Sequence, residues 1–100
     1  MHDVPATIFQ QLGAGRFVAM TGARNFLGSA EALSFRLPGQ GFCKNGINGV
    51  RVRLTASDDY EITATKIRAG QLVTIEQRDG VYHDQLRDVF EDMTGLRTSL

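Results

Sequence analysis

A lone cysteine, two histidines and one pair of adjacent aspartates are the residues of this 100-residue chain best suited to hold a metal or move a proton. Cys43, His2 and His83 lie far apart in sequence, whereas zinc sites draw on clustered thiolate and imidazole ligands. No metal site is expected from them. Asp58 and Asp59 offer two carboxylates to a hard cation, but adjacent aspartates in "TASDDY" equally suit a turn, and the turn is the simpler reading. "GAGRF" has glycines at two-residue spacing without a Lys-Ser/Thr pair or a long helix after it, so it is neither a P-loop nor a dinucleotide fingerprint. One cysteine and one distant histidine do not make a nucleophile and base, and Cys43 is expected to be a dispensable free thiol. In "YHDQLRD", His83 and Asp84 are consecutive, and consecutive helical residues do not face each other. The chain therefore reads as a non-enzyme that needs no cofactor.

The positive signal is cationic. "VRVRLT" places Arg51 and Arg53 between Val50, Val52 and Leu54, and "ALSFRL" places Ser34 and Arg36 between Leu33, Phe35 and Leu37. Successive side chains of a strand point to opposite faces. Both stretches thus offer one apolar and one polar face. Thr63 and Thr65 take the polar positions of "YEITATKI", and Lys66 and Arg68 follow at its end. Such a face suits phosphate or an acidic protein surface. The plainer alternative is a solvated sheet face on which Glu61 and Glu76 pair with the arginines across strands. Aromatic residues that would stack on bases are missing from the outward positions, which disfavours single-stranded nucleic acid.

The elements that must carry this face follow from period and punctuation. Pro5 and the spacing of Ile8, Phe9 and Leu12 predict a short helix from Ala6 to Leu12, ended by Gly13. "RFVAMT" predicts a strand from Arg16 to Thr21, and "GARNFLGS" a loop rich in turn residues. Strands are then expected over "ALSFRL", "VRVRLT", "YEITATKI" and "QLVTIEQ", with Asp79-Gly80 closing the last. The Asn45-Gly46 and Asn48-Gly49 pairs of "KNGINGVRVRL" shape an extended loop before the Arg51 strand. From Val81 to Thr94, Tyr82, Leu86, Val89, Phe90 and Met93 form one helical stripe, and Gly95 follows as a left-handed cap. The architecture predicted is a single α+β domain. It has a five-stranded antiparallel meander, a short N-terminal helix, and a C-terminal helix packed on one face.

The totals set bounds on this. With 42% apolar and 22% charged residues the chain has ordinary globular usage, and its length suits one core. It lacks an apolar run long enough for a membrane helix, and "MHDVPATIFQQ" shows no secretory leader. Together with the single Cys43, this fits a reducing cytoplasm. The net charge of zero hides an asymmetry. Between Arg16 and Arg53 six cations face Glu31 alone, an excess of +5, whereas from Asp79 onward five acids outnumber Arg87 and Arg97 to give −3. Either opposed basic and acidic surfaces or internal pairing of the two halves follows from such a division.

Three stretches, "FQQLGAGRFVAMTGARNF", "KNGINGVRVRL" and "GVYHDQLRDVFEDMTGLRTSL", resemble a family of small uncharacterised proteins encoded by bacteriophages, prophages and plasmids. The family pattern is similar to TGAKNF, then KGIN, then TGLYTSL. It falls here on Thr21 to Phe26, Lys44 to Asn48 and Thr94 to Leu100, with Asn45 inserted and Arg97 in place of an aromatic residue. The resemblance carries no catalytic residues. It implies a cytoplasmic accessory protein of a mobile element. The function favoured within that setting is binding to a host protein complex, as an inhibitor of a CRISPR or restriction defence. The alternative is a nucleic-acid-associated protein of replication or recombination. The partner-binding residues expected are Arg36, Arg51, Arg53, Lys66 and Arg68 on the sheet, with Arg24, Asn25, Lys44 and Asn45 from the two loops. Oligomeric state is left open.

Overall fold

A computed structural model describes residues 3–38 and 44–98. Two helices open the chain, α1 (Val4–Leu12) and α2 (Ala14–Thr21). Five strands follow: β1 (Arg24–Gly28), β2 (Ala32–Arg36), β3 (Gly49–Leu54), β4 (Tyr60–Arg68) and β5 (Gln71–Val81). A last helix, α3 (Leu86–Thr94), ends the fold, and a single 3-10 turn at Lys44–Gly46 precedes β3. The strands pair in sequence order, all antiparallel. This is the α+β meander expected, with one more helix than the sequence suggested.

α1 starts where Asp3 accepts a hydrogen bond from the Ala6 N–H at 3.2 Å and Pro5 fills the first turn, an N-cap followed by a residue already fixed in helical φ. Gly13, at φ +122°, ends it and starts α2 at once. The strand expected over Arg16 to Thr21 is therefore a helix. Phe17 and Thr21 are its buried pair, four residues apart, a spacing that a strand would have put on one face only together with Ala19, which is exposed. The Thr21 hydroxyl donates to the Phe17 carbonyl at 2.7 Å, and Gly22 closes the helix in the left-handed region at φ +72°.

The loop expected over "GARNFLGS" is also corrected, because it contains β1. Its turn-like residues serve three other purposes. Gly22 ends α2. Asn25, at φ +57°, makes a bulge, with Asn25 and Phe26 together facing the single residue between Ser34 and Arg36. A Cβ on Gly28 would stand 3.0 Å from the Pro5 ring, so this glycine lets α1 lie against the sheet.

Asp79-Gly80 does not close β5 either. Tyr60 faces Val81 and Ile62 faces Arg78, so Asp79 and Gly80 form a second bulge within the strand, with Gly80 at φ +65°. Val81 is consequently buried in β5, and Tyr82 is 57% exposed outside any helix. The helix predicted from Val81 starts instead at Leu86, and its buried residues are Leu86, Phe90, Met93 and Thr94.

The core lies between the helices and one face of the sheet, called the inner face below. Phe17 of α2 meets Phe35 of β2 edge to face at 5.3 Å and Phe90 of α3 at 5.2 Å. Leu33, Phe35, Val50, Val52, Tyr60, Ile62 and Ala64 supply the sheet side. Every second residue of β2, β3 and β4 is thus turned inward, and the arginines between them face away. No helix among the described residues is long and apolar enough to cross a membrane. Cys43 and His2, and the expectations attached to them, lie outside the described residues.

Candidate partner-binding face

The outer face is a grid fixed by strand register. One row crosses the sheet as Arg24, Arg36, Gly49, Thr65 and Thr74. The next is Leu27, Ser34, Arg51, Thr63 and Gln77. Beyond it come Ala32, Arg53 and Glu61, and on the far side Ile67 stands opposite Leu72.

Five of the nine expected site residues meet on this grid or at its edge. Arg36, Arg51 and Arg53 project outward as their alternation predicted. Arg24 lies directly opposite Arg36. Asn25, in its bulge, lines the same surface.

The other four are elsewhere. Lys66 and Arg68 follow the inward parity of Ile62 and Ala64, and with Gln71 and Val73 they line a separate cleft of about 500 Å³ at the β4–β5 hairpin. Lys44 begins the 3-10 turn and Asn45, exposed at φ +58°, is inside it.

The arginines also differ in their partners. Arg53 donates from Nε and Nη2 to Glu61 at 3.4 and 3.3 Å, and this bond raises its guanidinium pKa above the ordinary value. Cross-strand pairing with Glu61 was one reading of the sequence, and it holds for Arg53. The same reading assigned Glu76 to the outer face, where it is not found. Thr65 faces Thr74 but Ala64 faces Glu76, so Ile75 is an extra residue and the parity of β5 changes there. Glu76 turns to the inner side and accepts a hydrogen bond from Arg78, which also pairs with Asp92 of α3. Among the described residues Arg24, Arg36 and Arg51 have no ion-pair partner.

Sequence reading missed the relief of this face. Gly49 presents no side chain between Arg36 and Thr65, and a Cβ there would stand 2.8 Å from Thr65 Oγ1 and 3.2 Å from Ile67 Cδ1. The Thr65 hydroxyl instead donates to the Gly49 carbonyl at 3.3 Å. The surface dips over this point into an open cleft of about 550 Å³, which reaches Leu27 on β1 and Leu72 on β5. Leu27 and Leu72 are 72% and 64% exposed. The one sequence signal available was a glycine directly before the Val50–Leu54 alternation, where a strand meets a close backbone approach.

The other described candidates do not line this cleft. Asp58 adopts a left-handed turn conformation at φ +62°, and Asp59 accepts the Thr55 hydroxyl hydrogen bond within the same turn. His83 and Asp84 are both exposed. No group of three metal-ligating side chains occurs among the described residues. No protein-family model, curated protein or solved structure matches the chain.

Proposed function

We propose that this chain is a non-enzymatic accessory protein of a bacterial mobile element. In this reading it acts in the host cytoplasm by occupying a surface of a host protein complex, as an inhibitor of a CRISPR or restriction defence does. The resemblance of its TGARNF, KNGIN and TGLRTSL stretches to phage, prophage and plasmid proteins supplies the setting.

The observation that carries the binding mode is the pair of rows holding Arg24, Arg36 and Arg51 with no carboxylate among them. Like charges placed side by side on a sheet destabilise it unless an anion offsets them. A partner that brings carboxylates supplies the offset, and it associates faster through long-range attraction.

The experiment is affinity purification of the tagged chain from nuclease-treated host cells, beside its Arg36→Glu/Arg51→Glu variant. One host complex should co-purify with the wild type and not with the variant, and adding the wild-type chain should inhibit that complex. Material lost on nuclease treatment would instead make the chain a nucleic-acid binder. Equal capture by the variant would remove the outer face from the mechanism.

A further inference from the structure

Charge alone does not describe the outer cleft. Its corners are aliphatic, with Leu27 on one side and Leu72 beside Ile67 on the other. Its floor is small and polar, made by Gly49, Ser34, Thr63 and Thr65. Arg36 stands at the edge of this floor, and its Nε is buried with no hydrogen-bond partner among the described residues. Buried N–H groups of folded proteins are nearly always paired, and an unpaired one is destabilising. The acceptor that best matches a guanidinium in charge and geometry is a carboxylate.

Resting on the reading of the outer face as the binding face, we infer the chemistry of what enters it. The cleft takes a short peptide segment of the partner protein. An Asp or Glu side chain of that segment pairs with Arg36, with Arg24 and Arg51 close by, and aliphatic side chains on either side of the acid cover Leu27 and Leu72. Four interstrand spacings of about 4.8 Å separate β1 from β5, and Leu72, opposite Ile67, lies four residues along β4 from the Thr63 row that holds Leu27, so the two apolar corners lie about 23 Å apart on the diagonal. An extended segment of about seven residues spans that distance at about 3.3 Å per residue. A nucleic-acid backbone would satisfy the arginines but brings no aliphatic group for the leucines. The rows of the outer face also carry no aromatic side chain on which a base would stack.

The test pans a random peptide display library on the immobilised full chain, then measures labelled enriched peptides by fluorescence anisotropy. Enriched sequences should join Asp or Glu to flanking Leu, Ile or Val. Replacing the acid by its amide should weaken binding by about tenfold or more, as should Arg36→Gln in the protein, since a charged hydrogen bond is lost. Leu27→Ser/Leu72→Ser, at two exposed positions, should do the same without changing the melting temperature. Arg36→Lys, which keeps the charge but not the planar fork, should recover part of the affinity.

The inference is overturned by enrichment of acidic peptides lacking aliphatic residues, by no enrichment, or by equal binding to the leucine variant. If a host complex is still captured through Arg36 and Arg51 in that case, the functional reading stands and only the identity of the bound segment is wrong.

Discussion

At the scale of single residues, Asn48 closes a gap in the sheet. β3 begins at Gly49, so the Ile67 backbone on β4 has no β3 residue opposite it. The Asn48 side chain takes that place, donating to the Ile67 carbonyl at 2.9 Å and accepting from the Ile67 N–H at 2.7 Å. Asn48→Ala should cost about 1–3 kcal/mol, the penalty for leaving such groups unpaired. A lower urea midpoint at unchanged slope would register it. Glu91 plays a comparable part at the C-terminus, accepting from the Thr98 N–H at 2.7 Å and its hydroxyl at 2.8 Å. These bonds, the backbone one first, hold the Glu91 carboxyl below its ordinary pKa of 4.5. A depressed folded pKa contributes stability that is fully present above the unfolded value and is lost as pH falls through the folded one. Protection of the Thr98 amide against hydrogen exchange should accordingly weaken from about pH 4.5 downward. Glu91→Gln should flatten that dependence.

At the scale of elements, α2 and α3 end by the same device. Thr21 and Thr94 each donate to a phenylalanine carbonyl four residues back, Phe17 and Phe90, at 2.7 and 2.8 Å. Each threonine oxygen then accepts the N–H two residues on, and the glycine between, Gly22 or Gly95, is left-handed. The Thr-Gly pairs of the first and last resemblance motifs are thus helix ends. Gly22→Ala should lose more stability than Gly80→Ala. Both put a side chain at positive φ, which costs about 1–2 kcal/mol, but only at Gly22 would the new Cβ meet Pro38 Cγ, at 2.8 Å. Thermal melts of the two variants make the comparison. Phe90 joins α3 to the rest, packed on Phe17 and Phe35 and 1% exposed. Phe90→Ala should cost about 3–5 kcal/mol, most of the stability of a domain this size, and chemical denaturation would show it.

At the scale of the whole molecule, the uneven charge of the chain resolves into two sides. The arginine rows occupy the outer face, whereas Asp88 and Asp92 are exposed on α3, across the sheet. Arg78 bridging to Asp92 ties β5 to that acidic helix. Arg51 and Arg53, two residues apart, should therefore answer differently to charge reversal. Arg51→Glu should leave the melting temperature nearly unchanged and slow association with the partner, an effect that shrinks as salt screens it. Arg53→Glu should lower the melting temperature, because it sets a second carboxylate opposite Glu61. Stopped-flow association at two salt concentrations, beside thermal melts, separates the two outcomes.

Local pattern by itself determined β2, β3 and β4 and the last helix. Leu33 and Phe35, Val50 and Val52, and Tyr60, Ile62 and Ala64 alternate with polar residues because a half-buried strand has period two. Leu86, Phe90 and Met93 recur as a helix buried on one side requires. That same alternation made Arg36, Arg51 and Arg53 legible as outward-facing. Tertiary structure alone decided the roles of Gly22, Asn25 and Gly28, which share one turn-like composition. As helix end, bulge and seat for Pro5, they are defined by what packs beside them. It decided the site as well. Glu61 reaches Arg53 rather than Arg51 because of the β3–β4 register, and the extra residue at Ile75 turns Glu76 away from the outer face. Register and bulges are relations between strands, and no strand carries them in its own sequence.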